Sequence, residues 1–141
     1  MEFGKFIVFE GIDGCGKTTI AKKFYEYLCS QENDEGKLPV LTCEPYKEGL
    51  GKDIRNLLNQ WDGHLSPKTE VFLFEAARAQ HMEDIIVPSL KKGKTVICDR
   101  FTASTKAYQG RAMGGNESDI GTLNNIASGG LCPDITFWID T

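Results

Sequence analysis

Eight residues near the N-terminus, Gly11-Ile12-Asp13-Gly14-Cys15-Gly16-Lys17-Thr18, follow the spacing G-x-x-x-x-G-K-T. Glycine permits a tight turn, so a loop of this composition can aim several backbone N–H groups at one point and cradle phosphate oxygens. The positive end of a following helix adds to that attraction. Lys17 would reach the outer phosphates of a nucleoside triphosphate, and the Thr18 hydroxyl would join the oxygen shell of a Mg²⁺ ion. With Thr19 at the start of the helix, the predicted triphosphate-binding set is Gly11, Ile12, Asp13, Gly14, Cys15, Gly16, Lys17, Thr18 and Thr19. The competing reading is a glycine-rich turn carrying Gly-Lys-Thr by chance. The apolar run Phe6-Ile7-Val8-Phe9 before the loop and the helical pattern after it speak against that.

A second constellation is Asp99-Arg100-Phe101-Thr102-Ala103-Ser104-Thr105-Lys106-Ala107-Tyr108-Gln109-Gly110. Asp99 ends an apolar run, where a phosphate-loop fold places its second magnesium-linked acid. Thr18 and Asp99 are therefore the predicted metal ligands. Arg100 can clamp a phosphate bidentately. Lys17, Asp99 and Arg100 are the expected catalytic residues. If 102–109 is helical, Thr105, Tyr108 and Gln109 share a face and offer a hydroxyl, an aromatic plate and an amide to a polar planar group. An ordinary Asp-Arg pair at a helix start is the alternative.

Phe74 and Arg78 stand four apart on a predicted helix. The ring could stack on a base and the guanidinium could bond its edge. Stacking and core packing are equally good readings of Phe74, whereas Phe72 and Leu73 are expected in the core. Glu44 and Arg55 flank a polar loop after a strand, at the end of a parallel sheet where ligands bind. A loop acid and a surface base fit them equally well. His64 is expected in a loop and His81 on a helix surface, neither with a catalytic role. Trp61 and Trp138 are expected to pack. Cys15 could be a redox handle, but the simpler reading is a small residue tolerated in the loop.

Hydrophobic runs alternate with helical patterns, which predicts an α/β fold with a parallel sheet. Strands are expected near 5–10, 39–43, 94–98 and 135–139, and helices near 16–30, 51–59, 102–109 and 119–128. A long helix should begin with Ser66 as N-cap, Pro67 at the first position and Glu70 supporting the cap, and break at Pro88. A polar loop covers 31–37 and a glycine-rich one 111–117. No repeat or linker interrupts the chain, so residues 1–141 are expected to form a single domain. The last strand ends two residues before the terminus, where an α/β unit usually continues into a crossover helix. The expectation is a fragment, or a protein lacking those elements.

The 141 residues carry 16 Lys+Arg and 20 Asp+Glu, a net charge of −4. Such a chain has no general electrostatic footprint for nucleic acid. No apolar stretch is long enough to span a membrane, and the N-terminus has no signal-peptide pattern. Five scattered cysteines without a C-x-x-C pair fit reduced thiols and a cytoplasmic setting.

Taken together, the GIDGCGKTT, Glu44-Pro45, VFLFEAARAQH, DRFTASTKAYQG and PDITFWID segments resemble the thymidylate kinase family of phosphate-loop nucleoside monophosphate kinases. The resemblance runs over essentially the whole chain. It implies a three-layer α/β/α fold, ATP as donor, dTMP as acceptor and Mg²⁺ as cofactor. It also implies a homodimer built on the long helices. By position, Asp13 meets the acceptor sugar, Phe74 stacks on thymine and Arg78 bonds its edge. Arg100 and Arg55 hold the acceptor phosphate, Thr105 and Gln109 contact the base, and Tyr108 lies against the sugar. With Glu44, these make the expected dTMP set. Two departures stand out. The loop carries no arginine, and the family's alternative source is a lid beyond the fourth strand, where this chain ends. Cys43 stands where many relatives have arginine before Glu-Pro. The alternatives are a deoxynucleoside kinase and a nucleotide-binding domain without turnover.

Overall fold

The computed structural model describes the backbone of residues 2–109 and 117–140, and the side chains of residues 2–105 and 118–140. The order of elements is β1 (Phe6–Glu10), α1 (Lys17–Gln31), β2 (Val40–Cys43), α2 (Gly49–Gln60), α3 (Pro67–His81), α4 (Val87–Lys91), β3 (Val96–Asp99), α5 (Thr102–Gln109), α6 (Glu117–Ser128) and β4 (Ile135–Trp138). A short 3₁₀ turn lies at Glu35–Lys37 and a π-helical turn at Met82–Ile86. The fold class is α/β, as the alternation predicts.

Two compact units make up the chain. The first comprises Met1–Cys43, Glu83–Phe101 and Cys132–Thr141 and holds the whole sheet with α1 and α4. Its four strands run parallel in the order β2-β3-β1-β4. Every residue of the central strand β1 is buried, which explains why Phe6–Phe9 read as an unbroken apolar run and not as an alternating one. Alternation still sorts its side chains. Ile7 and Phe9 join Ile97 and Ala21 in a cluster edged by Phe24, Tyr25, Leu28 and Ile139. The ring of Phe9 stacks on Phe137 at 5.2 Å. On the opposite face, Phe6 meets Phe101 edge to face at 5.0 Å.

The second unit, Glu44–Met82 and Thr102–Leu131, is helical and contains α2, α3, α5 and α6. Ser66 caps α3 as expected, its Oγ accepting from the Thr69 N–H at 3.1 Å, with Pro67 in the first turn. The cap's side-chain partner is Thr69 instead of Glu70. The break expected at Pro88 falls earlier. The π-helical turn after His81 interrupts the run, and Pro88 sits in the first turn of α4, where its missing N–H would be unsatisfied anyway. Phe72, expected in the core, is 56% exposed, and Leu73 is only half-buried. Trp61 and Trp138, expected to pack, are also exposed.

Ile97 is buried against both α1 and β1, so Ile97→Ala should cost about 2–5 kcal/mol of unfolding free energy in urea titrations. Leu41→Ala, on an exposed position of β2, should cost clearly less.

Candidate active site

The phosphate loop lies in the first unit, between β1 and α1. Gly14 and Gly16 adopt φ of 80° and 90°, the left-handed region that side chains resist. A Cβ at either would meet nothing within 4 Å, so the requirement is conformational and leaves open space over the loop. Gly16 begins α1 by accepting the Ile20 N–H at 3.0 Å. The first amides of α1 have no carbonyl partner within the helix, which makes this end an anion site. Lys17 is 6% exposed despite its charge. Its Nζ lies 3.9 Å from Oδ1 of Asp13, a carboxylate on the exposed rim of the loop. Arg100 pairs with the same oxygen. Two cations thus converge on one carboxylate at the loop.

Sheet register brings Asp99 to this place. Phe9, two residues before the loop, is paired with Asp99 across β1 and β3. The next amide, Arg100 N–H, donates to the Phe9 carbonyl at 2.9 Å and extends the ladder by one step. Thr18 Oγ1 donates to Asp99 Oδ2 at 2.6 Å. The other carboxylate oxygen, Asp99 Oδ1, is buried with no hydrogen-bond partner. A buried orphan acceptor is costly unless something else neutralises it.

In the second unit, Arg78 is the hub of a buried polar cluster and is 3% exposed. Its Nε donates to Glu44 Oε2 at 3.0 Å, its Nη1 to Asn124 Oδ1 at 2.7 Å and to Glu75 at 3.3 Å, and its Nη2 to Thr105 Oγ1 at 2.8 Å. Four side chains from three helices and one loop thereby fix the guanidinium plane. Two carboxylates face one cation. Burial pushes the Glu75 carboxyl above its ordinary range, Arg78 opposes that, and the nearby Glu44 charge adds to it. Phe74 is half-buried one turn before Arg78 on α3. Arg55 donates from Nη2 to the Pro45 carbonyl at 2.6 Å, so it braces the loop after Glu44.

Of the expected residues, the structure brings together Asp13, Lys17, Thr18, Asp99 and Arg100 in one unit, and Glu44, Arg78 and Thr105 in the other. The side chains of Tyr108 and Gln109 and residues 110–116 lie outside the described residues, and position 117, expected in the loop, begins α6. His81, expected on the surface, is 2% exposed, stacked on Tyr46 at 4.9 Å with its Nδ1 3.7 Å from Glu44. It faces inward because it follows Arg78 by three residues and so shares its face. Sequence reasoning missed Glu75 and Asn124. The i, i+3 spacing of Glu75 to Arg78 was a usable signal. For Asn124, 46 residues away, there was none.

The thymidylate kinase family model matches residues 9–141. The chain belongs to the thymidylate kinase family. It is 46% identical over 137 residues to a thymidylate kinase of Dehalococcoides mccartyi, covering 96% of this chain and 64% of that one. Against the enzyme of Desulfosudis oleivorans it is 45% identical, covering 96% and 62%. The crystal structure of the thymidylate kinase from Ehrlichia chaffeensis superposes with a TM-score of 0.89 at 45% identity, over 99% of this chain and 77% of that one. The parallel sheet and its helices are thus those of the family's phosphate-loop fold. The chain spans about 64% of the length of the first of these relatives.

The Glu75 shift carries a pH signature. A carboxyl whose pKa is higher in the folded state takes up a proton on folding. Stability is then lost as pH rises from the ordinary value of about 4.5 through the raised one. Glu75→Gln keeps an oxygen for Arg78 but has no proton to lose. The stability of this variant relative to wild type should therefore climb as pH is raised from 4 to 7 in parallel denaturant titrations. A pH-independent difference would contradict the assignment.

Proposed function

We propose that the protein transfers the γ-phosphoryl group of ATP to the phosphate of dTMP, forming dTDP and ADP. The observation that carries this reading is the convergence on the phosphate loop of Lys17, Arg100 and the Thr18–Asp99 pair. Phosphoryl transfer demands little covalent help. It needs two anions aligned and their mutual repulsion neutralised. The loop amides and Lys17 hold the donor phosphates, and Arg100, with Arg55, holds the acceptor phosphate. An oxygen of that phosphate attacks the γ-phosphorus, and the bond to the β–γ bridging oxygen breaks to release ADP. In this reading Phe74 stacks on thymine, Arg78, Thr105 and Gln109 address its polar edge, Glu44 keeps Arg78 oriented, and Asp13 and Tyr108 meet the sugar.

Thr18 and Asp99 would hold Mg²⁺. Both offer hard oxygen donors, and the orphaned Asp99 Oδ1 is an acceptor suited to a cation or to its bound water. Bound with ATP, the ion would supply positive charge to the phosphoryl oxygens. We further read the protein as a cytoplasmic homodimer acting on free nucleotides and not on nucleic acid. Free thiols at all five cysteines and the net charge of −4 support this, as do the exposed apolar residues Leu50, Leu57 and Phe72 on α2 and α3. No helix among the described residues is long and apolar enough to cross a membrane.

With the full-length protein, Mg²⁺ and ATP, addition of dTMP should stimulate ADP release, and thymidine should not. Lys17→Ala should lower the rate by about a hundredfold or more. Stimulation by thymidine alone would favour a nucleoside kinase. Calorimetric dTMP binding without ADP release would favour a binding domain.

A further inference from the structure

Arg100 is the one non-glycine residue with positive φ among the described residues, at 73°. Such a conformation is costly for a side chain with a Cβ and persists only where its surroundings impose it. Here three bonds within the first unit do so. The Arg100 N–H donates to the Phe9 carbonyl at 2.9 Å. The Cys98 thiol donates to the Arg100 carbonyl at 3.0 Å. The following amide, Phe101 N–H, donates at 2.8 Å to Oε1 of Glu10, a carboxyl that is fully buried at the end of β1. Glu10 stands where the β1 pattern would otherwise take an apolar side chain. Packing alone gives no reason for a carboxyl there, because burying one is expensive unless its bonds are needed.

We propose that Glu10 is a positioning residue for Arg100: by accepting the Phe101 N–H it locks the left-handed turn that aims the guanidinium over the phosphate loop. The ring of Phe101, packed on Phe6, pins the other side of the same turn. Glu10 and Gly11 are adjacent in sequence, so one strand end anchors both the loop and the arginine beside it. Without that anchor, Arg100 would relax to an ordinary backbone conformation and its side chain would leave the loop. The inference rests on Arg100 being the acceptor-phosphate clamp.

The test compares dTMP with thymidine as ligands by titration calorimetry, since only dTMP carries the phosphate. Wild type should prefer dTMP. Absence of that preference overturns the clamp reading and leaves the backbone question to the second measurement. Given the preference, Glu10→Ala should reduce it by about tenfold or more while thymidine and ATP affinities hold, and Glu10→Gln, which keeps the acceptor oxygen, should restore it. An unchanged preference in Glu10→Ala overturns the inference, as does an equal loss for both ligands. The second measurement does not depend on Glu10→Ala folding. Arg100→Gly should melt higher than Arg100→Ala, because glycine accepts φ of 73° without strain. Equal melting, or the reverse order, overturns the locked turn.

Discussion

The register of β1 against β3 is the constraint on which the rest depends. Phe9 paired with Asp99 means that the phosphate loop and the Asp99-Arg100 pair leave the sheet side by side. A slip of one residue would turn Asp99 to the opposite face of the sheet and take its carboxylate from the Thr18 hydroxyl. The register is held by burial on both faces, because Ile7, Phe9 and Ile97 fill one side and Phe6, Val8 and Val96 the other. Hydrophobic packing thus sets the distance between two polar groups, the Thr18 hydroxyl and the Asp99 carboxylate.

The two units solve different electrostatic problems. In the first, backbone amides, a helix end and two cations create positive potential at an open loop. The carboxylate paired with both cations, Asp13, is exposed, so its opposition is screened by water. In the second, a cation is buried and must be matched. Arg78 meets two carboxylates, an amide and a hydroxyl, so its plane is rigidly set. Burial is what raises the Glu75 pKa, with a smaller push from the Glu44 charge, and Arg78 offsets only part of it. An arginine held this way can discriminate by shape and direction, whereas a solvated one offers mainly charge.

Much of this was legible in the sequence wherever local rules decide. The Gly-x-x-x-x-Gly-Lys-Thr spacing, the Ser66-Pro67 helix start and the apolar run of β1 each stand in the expected element. What escaped depended on tertiary pairing. The π-helical turn after His81 leaves no composition signal, and Pro88 looked like the breaker because its position within α4 could not be known. His81 looked solvated because its neighbours Glu44 and Tyr46 lie far back in the chain. Phe72 looked like core because a helix face cannot be assigned from three consecutive apolar residues. The charge of Arg100 is plain in the sequence, but its left-handed backbone and the buried Glu10 bonded to the next amide depend on a contact spanning 91 positions.

In the proposed reaction, sheet register makes Thr18 and Asp99 a single oxygen-donor pair for the ion that would accompany the nucleotide at the loop. Binding of a non-hydrolysable ATP analogue, titrated with and without Mg²⁺ in wild type and in Asp99→Asn, tests it most directly. Mg²⁺ should tighten binding in wild type, and Asp99→Asn should lose this gain while keeping the metal-free affinity. Equal Mg²⁺-dependent tightening in both proteins would contradict it.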